Sequence, residues 1–131
     1  MGMDYLKNLI KKQNNLTRSQ IRRARPHRNS ALEYVEEKDG RVILKIPLSK
    51  KGKIARFVLR SVDLPEHKQV ELEPIGAMVW KLCDGKHTVE GITSKLQEKY
   101  KISKVEAEAS LLTFLDTLEK RRFVNIEVPE K

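Results

Sequence analysis

Cys83 and the three histidines, His27, His67 and His87, are the first side chains to weigh for chemistry. A thiolate paired with an imidazole can act as a nucleophile, and closely spaced His and Cys residues hold zinc. Neither arrangement is present. The histidines are far apart and make no ligand spacing with Cys83, and no serine or cysteine has a matching histidine and carboxylate. Neither GxxxxGK(S/T) nor GxGxxG occurs, so no phosphate cradle is expected. Glu36–Glu37 is an adjacent carboxylate pair of the kind that sits solvated at a strand end. A lone cysteine in an apolar helix reads as inert core. The expectation is a chain that is not an enzyme and needs no metal or cofactor.

The other chemistry available is charge. The 131 residues carry a net charge of +9, with 34% charged, 39% hydrophobic and 5% aromatic side chains. Residues 1–30 hold Lys7, Lys11, Lys12, Arg18, Arg22, Arg23, Arg25 and Arg28 against Asp4 alone, whereas the rest is nearly neutral. Basicity therefore belongs to an N-terminal arm, in which Lys11, Lys12, Arg18, Arg22, Arg23 and Arg25 are the candidate contacts to a polyanion or a partner. No apolar run approaches the roughly 18 residues that span a bilayer. Met1–Lys12 lacks the apolar stretch and small-residue cleavage site of a signal peptide, and with one cysteine no intramolecular disulfide can form. A cytoplasmic protein is expected.

The elements that must position these residues follow from periodicity. Asp4–Lys12 gathers Tyr5, Leu6, Leu9 and Ile10 on one side of a short helix, and a second weakly helical stretch runs from Thr17 to about Ala24. Residues 1–30 thus read as a weakly helical or partly disordered arm, and residues 31–131 as the domain. From Ala31 the period becomes two. Leu32, Tyr34 and Glu36 share a strand face, Asp39–Gly40 is hairpin-turn chemistry, and Val42, Leu44 and Ile46 alternate against Ile43 and Lys45. Ser49–Lys53 is a polar loop, Ile54–Leu59 reads as a strand or a helical turn, and Gln69–Leu72 as a last short strand.

Three helices then span residues 74–121. Pro74 opens the first, with Ile75, Met78, Val79 and Leu82 as its apolar stripe, and Asp84–Gly85 stops it. Thr88 caps the second, which buries Val89, Ile92, Leu96 and Tyr100; Gly91 inside it costs about 1 kcal/mol against alanine and is expected to mark close helix packing. Ser103 and Glu106 form a capping box for the third, which buries Val105, Ala109, Leu112, Leu115 and Leu118 with Leu111 and Phe114 beside them. Residues 124–128 form a closing extended segment. The fold class is α+β: a short antiparallel sheet followed by a three-helix bundle of winged helix-turn-helix character.

Leu72–Val89 carries a resemblance. Gly76 early in the first helix, Trp80 four positions on, Leu82-x-Asp84-Gly85 and then Thr88–Val89 resemble the PqqD family, and Ile92, Leu96, Tyr100 and Leu115–Val124 are similar to that family's end. The likeness covers Arg28–Ile126 and is strongest over Val70–Val124. It implies a peptide chaperone, or precursor-peptide recognition element. Such a protein binds the leader of a ribosomally made peptide and presents it to a modifying enzyme, often a radical S-adenosylmethionine protein. It further implies that the leader adds as a strand against Lys68, Gln69, Val70, Glu71 and Leu72, in a groove with the third helix at Leu111, Phe114, Leu115 and Leu118. An exposed sheet edge suits that use, because its backbone donors and acceptors pair with any extended peptide. Trp80, Asp84 and Gly85 are read as structural: a packed indole, a turn acceptor and a positive φ.

Nucleic-acid binding is the alternative, through a winged helix or the basic arm. In the winged-helix form the third helix would face the groove with Lys104, Glu106, Glu108, Ser110, Thr113, Asp116, Thr117, Glu119 and Lys120. Four acids turned to a polyanion oppose that role.

Overall fold

Thr17 and Gln20 start the described chain by closing a capping box. The Gln20 amide donates to Thr17 Oγ1 at 3.1 Å, and the Thr17 amide donates to Gln20 Oε1 at 2.9 Å. These bonds satisfy the Gln20 donor in the first turn of α1 (Arg18–Arg23) and the donor of its cap Thr17, and Ala24 leaves the helix in an extended conformation ahead of Pro26. The structure, a computed structural model, describes residues 16–47 and 67–130. Asp4–Lys12, Ser49–Lys53 and Ile54–Leu59 lie outside them. The described chain divides into two compact units, one made of residues up to Asn29 and from Met78 onward, the other of Ser30–Ala77.

In the first unit, β1 (Arg25–Arg28) pairs antiparallel with β5 (Val124–Glu127), Arg25 opposite Glu127 and Arg28 opposite Val124. Residues 124–128, expected to be extended, thus find a partner about a hundred positions upstream. A two-stranded ribbon leaves β1 an open side, which tolerates Pro26. That side docks on the turn after the first bundle helix: Gly85 N–H donates to the Pro26 carbonyl at 2.9 Å and Arg28 N–H to the Cys83 carbonyl at 2.8 Å.

The second unit is a sheet of order β2 (Glu33–Glu36), β3 (Val42–Pro47) and β4 (His67–Leu72), all antiparallel. The Asp39–Gly40 turn forms as expected. Gly40 takes φ +94°, which costs glycine little, and Asp39 Oδ1 accepts from the Arg41 amide at 3.1 Å. The period-two pattern also holds: Val42 and Leu44 are buried and Ile43 only half-buried, with Leu72 opposite Val42 and Val70 opposite Leu44. β2 is exposed throughout.

The helices are α2 (Pro74–Leu82), α3 (Val89–Tyr100) and α4 (Lys104–Lys120). Thr88 Oγ1 accepts from the Gly91 amide at 3.0 Å and Ser103 Oγ from the Glu106 amide at 3.1 Å, so both N-caps form, but the Glu106 side chain does not return the bond that the expected capping box requires. Expectations about burial and packing need correction in places, beginning with Tyr100 and Ala109, which are half-buried rather than buried. Ile75 is 44% exposed, because the buried side of α2 is set by Ala77, Trp80 and Cys83, and Ile75 lies about 140° round the helix from Trp80 at 100° per residue. Val105 is 80% exposed. Helical side chains lean toward the N-terminus, so one in the first turn of α4 points past the helix end. Asp116, expected at the surface, is only 8% exposed and pairs with Lys120 Nζ at 2.9 Å. Gly91 marks no helix approach: a Cβ there would meet only the capping hydroxyl of Thr88, at 3.4 Å.

α4 ends without glycine. Arg122 adopts φ +62°, its amide bonds the Glu119 carbonyl at 2.9 Å, and the Phe123 amide bonds the Leu118 carbonyl at 2.8 Å. This pair of bonds closes a Schellman turn with an arginine at the left-handed position.

Candidate peptide-binding edge

β4 exists because Val70 and Leu72 alternate with polar residues on a strand held by β3. It ends the sheet on its side: among the described residues, no strand pairs with its outer edge. In an antiparallel ladder every second residue turns its N–H and C=O away from the partner, so that edge presents a row of backbone donors and acceptors. Lys68, Gln69 and Glu71 are exposed, Val70 is half-buried and Leu72 is buried. Five expected contact residues therefore share one strand, and four of them keep some accessible surface.

Charge along this strand is ordered by Arg41. Its Nε donates to Asp39 Oδ2 at 2.7 Å and its Nη1 to Glu71 Oε1. The Glu71 bond first, and then Asp39, raise the guanidinium pKa further, while the Arg41 backbone N–H is the chief group holding Asp39 below the usual carboxylate range.

The other expected contacts belong to the helical unit. Leu111, Leu115 and Leu118 are core residues at 2% exposure or less, whereas Phe114 is half-buried. Of the basic set, Arg18, Arg23 and Arg25 are exposed. Arg22 is half-buried, its Nε 3.9 Å from Glu108 Oε2, and Arg23 Nε donates to Ser19 Oγ at 3.3 Å. Lys11 and Lys12 lie outside the described residues.

The Leu82–Thr88 motif builds a turn. Asp84 Oδ1 accepts from the Lys86 and His87 amides at 2.8 and 3.0 Å, and Oδ2 lies 2.9 Å from His87 Nδ1. Partial burial opposes ionisation of Asp84, but the His87 and Lys86 amides and the His87 ring outweigh it and hold the carboxyl well below its ordinary pKa. Gly85 takes the expected positive φ, +79°. Trp80 and Cys83 are fully buried, and burial pushes the thiol up to about 12, so Cys83 is a packed hydrophobe. What the sequence did not disclose is the clasp on this turn. Arg28 Nη1 donates to the Trp80 and Lys81 carbonyls at 3.2 and 2.7 Å, capping the C-terminal end of α2, and His27 Nε2 lies 2.8 Å from Glu127 Oε2. In the sequence Arg28 counts only toward the basic arm and His27 only as a dispersed histidine, and no local signal marks either contact. Among the described residues, no group of three or more His, Cys, Asp or Glu could hold a metal, and no helix is long and apolar enough to cross a membrane.

Short antiparallel sheets together with a set of short helices define a class of small mixed α/β domains. A solved structure of that class, "TbiB1 in Complex with the TbiA(beta) Leader Peptide", matches with a TM-score of 0.56 at 17% identity, over 76% of this chain and 94% of that one. Residues 60–124 are similar to the family described as coenzyme PQQ synthesis protein D (PqqD). No curated protein matches the chain.

Proposed function

We propose that this chain is a non-catalytic recognition protein that binds the leader of a ribosomally synthesised precursor peptide by adding it as a strand to β4, and presents it to a modifying enzyme. The open outer edge of β4 carries this reading. The PqqD match and the fold shared with a protein solved in complex with a leader peptide support it. Lys68, Gln69, Val70, Glu71 and Leu72 supply the pairing edge. Phe114 is the half-buried member of the proposed α4 contact set, whose other members, Leu111, Leu115 and Leu118, are buried in the helical unit. The modifying enzyme is of the radical S-adenosylmethionine type or another peptide-modifying class. The helices work as a winged helix-turn-helix scaffold, the exposed arginines of α1 face the partner, residues 31–131 act as the recognition domain, and the setting is the cytoplasm.

An amide NMR titration tests this, using the short peptide encoded nearest the gene. Saturable shifts concentrated in Lys68–Leu72 are expected. Unmoved β4 amides, with salt-sensitive shifts of Arg18–Arg25 on adding duplex DNA instead, would transfer the function to nucleic-acid binding.

A further inference from the structure

β4 carries its side chains in two rows. Lys68, Val70 and Leu72 stand on the face shared with Ile46, Leu44 and Val42, while Gln69 and Glu71 stand on the opposite face with Lys45 and Ile43. The first row is graded along the strand: Leu72 is buried, Val70 half-buried and Lys68 exposed. In the second row Glu71 is held by Arg41, which also holds Asp39. One negative charge remains on that cluster, but it lies on the other face and toward the hairpin turn. Lys68 has no acidic partner among the described residues. Among the described residues the edge is therefore polarised, with a cation lacking an acidic partner at the Lys68 end and an aliphatic step at Val70 beside it.

We propose that β4 selects an acidic peptide: an extended segment that sets a carboxylate beside Lys68 and, two residues along, an aliphatic side chain beside Val70. This rests on strand addition at β4 as proposed above. An added strand continues the two rows of the sheet, and directly opposed side chains on one face become neighbours about 5 Å apart. Lys68 and Val70 are two positions apart on the same face, so their partners on the peptide must also be two apart, whichever direction the peptide runs. The residue between them falls on the Gln69 face, where a polar side chain suffices.

Panning a displayed library of random dodecapeptides against the full chain and against its Lys68→Glu variant tests this, with enriched peptides then synthesised for affinity measurement and amide NMR. The parent chain is expected to enrich Asp or Glu two positions from Val, Ile or Leu, and Lys68→Glu is expected to replace that acid with Lys or Arg. An acidic peptide should bind the variant about five-fold more weakly, the size of turning a cross-strand attraction into a repulsion. Lys68→Gln should fall between, and its unchanged amide spectrum away from β4 checks the fold. Peptides that shift the β4 amides but show no acidic bias, or bind Lys68→Glu equally well, would overturn the selectivity and leave strand addition standing. Enriched peptides that leave β4 unmoved, or no enrichment at all, would remove strand addition and the selectivity with it.

Discussion

The His27 ring occupies the space that a side chain at Gly85 would need: a Cβ there would stand 2.5 Å from His27 Cε1 and Nδ1. Gly85 is thus required twice, by its φ of +79° and by the ring across from it. Gly85→Ala is expected to cost about 2 kcal/mol or more, since the left-handed conformation alone is worth roughly 1–2 kcal/mol to a non-glycine residue. Adding His27→Ala should recover the steric part and leave the conformational part. A double-mutant cycle in urea separates them; purely additive effects would place the cost in the backbone alone.

Cys83 should be silent toward thiol reagents. With its pKa pushed up to about 12 and its side chain fully buried, the folded protein offers almost no thiolate at pH 8. Reaction with a chromogenic disulfide reagent is expected only at the rate of unfolding, and to become immediate in denaturant. Prompt labelling of native protein would contradict the burial.

Asp84 contributes an acid limit to stability. Its folded pKa lies below the unfolded value near 3.8, so the stabilisation is present above about pH 4 and fades as pH falls toward the folded pKa. Asp84→Asn is expected to lower Tm at pH 7, with the gap to the parent narrowing below pH 4. A gap independent of pH would show that the carboxylate charge is not what holds the Lys86 and His87 amides.

Arg122 offers a gain. Its left-handed backbone suits glycine, and Arg122→Gly should raise stability by about 0.5–1 kcal/mol, the relief of a non-glycine αL strain less the added freedom of the unfolded chain. Chemical denaturation measures it. A loss would mean that the arginine side chain contributes more than the strain costs.

Features written by neighbouring residues were legible in the sequence. Asp39–Gly40 turned the chain, Thr88 and Ser103 capped their helices, and Asp84–Gly85 made the turn its chemistry implied, because each depends on residues within four positions. β4 was legible for the same reason, through the Val70–Leu72 alternation. Its standing as the sheet's outer strand was not, since that depends on what pairs with it. Arg25–Arg28 escaped as a strand because Arg-Pro-His-Arg has no apolar alternation, and its partner Val124–Glu127 lies at the other end of the chain. Burial within helices was half legible. Periodicity placed Leu112 and Leu115 inside, but bulk alone misled at Ile75, where small Ala77 and broad Trp80 decide which side faces in.

The pairing of Arg25 with Glu127 sets a timetable for synthesis. On the ribosome, α1 and β1 emerge early, yet the strand that completes their ribbon and the Asp84 turn on which β1 rests are made much later. The ribbon therefore closes a loop of about a hundred residues, a slow kind of contact for a small protein. Until that closure, Ile21 and Ala24 can rest on Val89, Leu112 and Leu115 of α3 and α4, where the Val89 amide donates to the Ala24 carbonyl at 2.8 Å, but β1 has no partner strand. Nascent chains arrested before Val124 should present β1 as an unpaired strand to chaperones, and lose that site once the last strand is out.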